Sequence, residues 1–178
     1  MTEEHHNTAE CIRELCHSAA APWRAMIDPA PVPVPRGRID LESERFLNPR
    51  GAIVRAVADS VLERLQGGRD HEALGSALRQ YMKLKALEAG SAREAVMFLE
   101  HLKSLVRDLA SGGGKPGMIE AAHHAGHALD EMITAAACMF QEYRLMLADL
   151  GSAEKRRCAV RALKHAHRHP SPAGEAGR

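Results

Sequence analysis

Apolar residues recur along this chain at spacings of three and four, the period of one buried helical stripe, and nowhere alternate with period two as a half-buried strand requires. A first helix is predicted from Thr8, a fair N-cap, to about Ala20, with Ile12, Leu15, Cys16 and Ala19 inward and Pro22 stopping or kinking it near Trp23. Asn48-Pro49 opens a second helix, because asparagine caps exposed amides and proline loses nothing at the first helical position. Its stripe is Ile53, Val57, Val61, Leu62 and Leu65, and Gly67-Gly68 ends it. A third helix is predicted from about Asp70 to Gly90 with Leu74, Leu78, Tyr81 and Met82 inward. Ser91-Ala92-Arg93-Glu94 reads as a capping box, opening a fourth helix through Ala95, Phe98, Leu99, Leu102, Leu105, Val106 and Leu109.

After the flexible break Ser111–Gly117 comes the longest pattern. Ile119, Ala122, Leu129, Met132, Ile133, Ala136, Phe140, Tyr143, Met146, Leu147 and Leu150 hold helical spacing over about nine turns. Gly151-Ser152 either ends this helix or is crossed at a cost of ~1 kcal/mol. The predicted organisation is an N-terminal helix (1–27), a proline-rich strap (28–40), a main helical domain (41–168) and a disordered tail (169–178). The strap holds prolines at alternate positions from Pro29 to Pro35, which excludes helix and favours a stiff extended connector, or less simply a ligand for a proline-binding module. The fold class expected is all-α, a single-domain bundle of five or six helices with a long C-terminal helix.

Composition sharpens this picture. With 178 residues, 45% of them hydrophobic, the chain is long enough for one core without disulfides or a structural metal. Aromatics are only 3%, so alanine and aliphatic side chains must build that core, which suits close helix packing. The net charge of +1 excludes a strong overall field for nucleic acid or membrane, and no run approaches the length of a membrane span. Charge is polarised, however: residues 1–28 carry five acids and two bases, residues 151–178 seven bases and two acids. The basic run from Lys155 to Arg168 lacks the interleaved aromatics of a base-stacking surface, so no nucleic-acid partner is expected. The polar, acidic start is no secretory signal, and the four cysteines form no Cys-x-x-Cys pair, so a cytoplasmic chain with reduced thiols is expected.

Candidate chemistry is sparse. Ser111–Pro116 has a phosphate loop's glycines, but proline follows its lysine and a helix precedes it, so it reads as a hinge. Eleven histidines fall mainly in three clusters: His5-His6, His123/His124/His127 and His165/His167/His169. His123 and His127 lie one turn apart, so both imidazoles can face one metal ion; Cys11, Cys16 and His17 are the distant donors that would complete a site. The plainer expectation is that the histidines face solvent, with no cofactor. Met97, Met118, Met132, Met139 and Met146 read as core fillers rather than an adaptable surface. No motif nominates a reaction, and a non-enzymatic protein is expected.

One ordered set of motifs is familiar. It begins with the segment from Ile39 to Gly51, which carries Phe46-Leu47-Asn48-Pro49, and continues with Leu65-Gln66-Gly67-Gly68, then Asp70-His71-Glu72-Ala73-Leu74 with Ala77-Leu78. Tyr81-Met82-Lys83-Leu84-Lys85-Ala86, Ser91–Leu99 and a late Arg144 follow. Over about residues 8–157 this order resembles the RsbRD N-terminal domain family, the sensory module of RsbT co-antagonist proteins in bacterial stress signalling. The resemblance implies a helical signalling module that dimerises, receives an input and acts through protein–protein contacts, with a globin-like arrangement without haem as the alternative to a plain bundle. Family members pass their input to a following STAS domain. No such domain is expected after residue 169, so a stand-alone sensor or adaptor acting on a neighbouring protein is expected. The long helix from about Met118 is the candidate homodimer interface. The rival expectation is a small-molecule, metal or haem/redox sensor with a cavity between helices.

Overall fold

The computed structural model describes residues 2–27, 48–112 and 115–168. Five helices account for nearly all of these residues, with no strand among them: α1 (Thr2–Ile27), α2 (Pro49–Leu65), α3 (His71–Glu88), α4 (Ala92–Gly112) and α5 (Met118–Arg168). The proline-rich strap, the terminal tail and Gly113-Gly114 of the hinge lie outside the described residues. The chain divides into two units, Met1–Gln141 and Glu142–Arg178. The first is a helical bundle, and every buried apolar side chain among the described residues belongs to it, the last being Phe140.

The helix boundaries follow from local chemistry. Asn48 Oδ1 accepts the Gly51 amide at 2.9 Å, and Asp70 Oδ1 accepts that of Ala73 at 2.8 Å, each satisfying a donor the first helical turn leaves open. At the C-terminus of α2, the Gly68 amide reaches Glu63 O at 2.9 Å and the Gly67 amide reaches Arg64 O at 3.2 Å, with Gly67 at φ +93°. These are the paired bonds of a Schellman cap, whose left-handed residue glycine adopts without steric cost. The expected capping box at α4 is shifted by one residue. Ser91 Oγ accepts the Glu94 amide at 3.2 Å, but the Glu94 carboxylate accepts the Gly90 amide at 2.7 Å, one position before the amide such a box would engage.

Two expectations about helix extent are corrected. α1 begins at Thr2, not Thr8, since no glycine or proline interrupts residues 2–7, and it runs through Pro22 to Ile27. Proline inside a helix costs about 3 kcal/mol, and the burial beside it offsets that cost. Pro22 itself is exposed, whereas Trp23 is fully buried and its indole N–H donates to Phe98 O at 2.7 Å. The Trp23 ring stacks on Phe98 at 6.2 Å between centroids, and Tyr81 meets Phe98 from another side at 4.6 Å. Half of the six aromatic residues thus join α1, α3 and α4 at one point. α5 crosses Gly151 without a break, as the second of the two readings had it.

Side-chain phase on α5 also differs from expectation. Its buried positions are Met118, Ala121, Ala125, Leu129, Met132, Ala136 and Phe140, while Ile119 is 64% exposed. Small alanines occupy the inner face because they allow helix axes to approach closely, so the larger isoleucine is left outside. Of the five methionines named above, Met118 and Met132 fill the core, and Met97 and Met146 are exposed. Among the described residues no helix is long and apolar enough to cross a membrane.

Candidate functional site

The first turns of α5 run beside the second half of α4, and the Lys103–Asp130 ion pair bridges the two. Between them lies a surface groove of about 340 Å³. Its floor is small and apolar, formed by Ala110, Ala122 and Gly126, and Ile119 stands at its mouth. Gly126 keeps the floor low: a Cβ there would come to 3.8 Å from the Lys103 side chain, an ordinary contact, and would partly fill the space.

Polar groups converge on this floor from both helices. Lys103 and Arg107, one turn apart on α4, supply the wall on one side; His123 and His127, one turn apart on α5, supply the other. The Ser111 hydroxyl donates to Arg107 O at 3.0 Å at the end of α4. The only carboxylate on the wall among the described residues, Asp130, is engaged by Lys103. His123 and His127 also border a shallower depression, where His124 Nε2 lies 3.8 Å from Glu120 Oε1. All three histidines are exposed, as the plainer sequence reading expected.

The histidines that sequence spacing nominated as metal donors therefore do face one groove. Among the described residues, however, no group of three or more histidine, cysteine or acidic side chains is placed to hold a metal ion. Cys11, Cys16 and His17 do not complete such a set. Cys11 is buried on α1 with its Sγ 3.8 Å from Asn7 Oδ1 and 4.0 Å from Pro116 O. Cys16 is buried as well, and burial pushes its thiol pKa from 9.0 up to about 11, so the thiolate a metal needs is disfavoured. Arg107 and Lys103 were not visible as site residues in the sequence. Their i, i+4 spacing was the available signal, but it equally describes a solvated helix face.

A second surface lies in the unit from Glu142 onward. Leu145, Met146, Leu147 and Leu150 are 68%, 57%, 37% and 62% exposed. Met146, Leu147 and Leu150 share one face of α5 with half-buried Tyr143, at relative positions i, i+3, i+4 and i+7. Leu145 points to a different side. Exposed Lys155, Arg156 and Arg157 follow within two turns, with Arg157 3.8 Å from Glu154.

No family model matches this chain, and no curated protein or solved structure matches it.

Proposed function

We propose that this protein is a non-enzymatic signalling or regulatory module that works as a cytoplasmic homodimer through protein–protein contacts, as its resemblance to the RsbRD N-terminal domain family implies. The observation that carries this reading is the apolar face Tyr143–Met146–Leu147–Leu150. Grouped large apolar side chains on a helix face gain by being covered, at about 25 cal/mol per Å² removed from water. Charge favours a second copy of the same helix in antiparallel orientation. Arg157, two turns beyond Leu150 on the same face, would meet its own image in a parallel pair, which an antiparallel pair with Leu147 of one copy against Leu150 of the other avoids.

Hydrogen exchange tests the pairing. Backbone amides of residues 143–157 are expected to exchange more slowly as protein concentration rises, because pairing covers this stretch of α5. Concentration-independent exchange would remove the reading. A small-molecule, metal or haem sensor is the second reading, and the groove between α4 and α5 favours it. An absorption spectrum and metal analysis of untagged protein from its native host check the metal and haem forms of that reading: a Soret band or stoichiometric metal would support it, and neither would end those forms.

A further inference from the structure

We propose that the groove between α4 and α5 binds the phosphate group of a small phosphomonoester. The chemistry of its walls argues for an oxyanion. The Arg107 guanidinium offers a planar fork of donors, and two imidazoles face it across the groove, each able to donate an N–H whether neutral or protonated. The charged side chains lining this space are Lys103 and Arg107 from α4 and Asp130 from α5, while Glu120 lines the neighbouring depression. Asp130 is held by Lys103 and Glu120 lies beside His124, so among the described residues Arg107 is the charge on the groove wall with no acid on that wall assigned to it. A metal ion is the poorer fit, because an arginine and a lysine would border it where further donors are needed.

The floor argues for an ester rather than free phosphate. A volume of about 340 Å³ lies at the low end of small-molecule sites, which run from roughly 300 Å³, and exceeds what a lone oxyanion fills. Ala110, Ala122, Gly126 and the exposed Ile119 side chain give the remaining space an apolar lining for a compact organic body. The site is separate from the α5 face proposed for pairing, so its failure would leave that reading standing.

The test follows histidine ring resonances by NMR during titration with phenyl phosphate and with inorganic phosphate, each to about 10 mM at constant ionic strength. Both ligands should shift His123 and His127, with phenyl phosphate binding the tighter. Arg107→Ala should weaken phenyl phosphate about tenfold or more, the loss expected for a charge-assisted hydrogen bond. His124→Ala, beside the groove and paired with Glu120, should bind as the wild type does. Both substituted positions are exposed, so circular dichroism should show the fold unchanged. No shift of His123 and His127, or a shift that survives Arg107→Ala undiminished, would overturn the proposal. Inorganic phosphate binding as tightly as phenyl phosphate would overturn its ester half, and a response to zinc alone would overturn it entirely.

Discussion

Trp23 shows most clearly how one side chain decides backbone path. It sits directly after a proline, where local rules end a helix, yet its buried indole and its bond to Phe98 O hold α1 on α4. Trp23→Ala is therefore expected to cost about 3–5 kcal/mol, read as a lower urea midpoint by circular dichroism; a loss under 1 kcal/mol would contradict the anchoring role. Ionisable groups in the core make a second prediction. Burial raises Cys16 to about 11 and, with Glu88 nearby, raises Tyr81 from 10.0 to about 12. Both groups are neutral in folded and unfolded chain below about pH 8, so their contribution is whole there. As pH climbs, the unfolded chain loses these protons first and is stabilised by doing so. Stability in reducing buffer should therefore fall between about pH 9 and 12, on the order of 1–3 kcal/mol per group, as seen in urea midpoints at successive pH values. A flat profile across that window would count against both burials.

Helix ends and helix faces were legible to different degrees. Asn48, Asp70, Ser91 and Gly67 announced their caps because capping is settled by a few neighbouring atoms. The face of α5 was harder. Hydrophobicity alone favours Ile119 over Ala121, but the bundle buries Ala121 and leaves Ile119 outside, since closeness of approach rather than greasiness selects the inner residue. The groove was legible only on one wall: His123 and His127 share a helix, whereas Arg107 meets them only once α4 and α5 lie side by side. Two glycines give paired predictions on this theme. Gly67→Ala places a Cβ at φ +93° and should destabilise by about 1–2 kcal/mol. Gly126→Ala lies mid-helix with ordinary contact only and should stabilise by about 0.5–1 kcal/mol. Thermal or urea melts that moved both variants in one direction would refute the cap or the groove floor.

For the protein as a unit of function, the distribution of apolar residues is the telling fact. The long helix from about Met118 that the sequence offered as a dimer interface buries its Ala- and Met-containing face in the bundle as far as Phe140. The largest group of exposed apolar side chains on α5 among the described residues is instead the later face around Leu147, in the unit that begins at Glu142. A regulatory module can use such a division, with a core that keeps its own shape and a separate surface that answers to another chain. Light scattering on size-fractionated protein at micromolar concentration tests this most directly, comparing the wild type with Leu147→Asp/Leu150→Asp. The account predicts twice the 19.4 kDa chain mass for the wild type and a single chain mass for the double variant, with helical content kept. A monomeric wild type, or a double variant that remains a dimer, would contradict it.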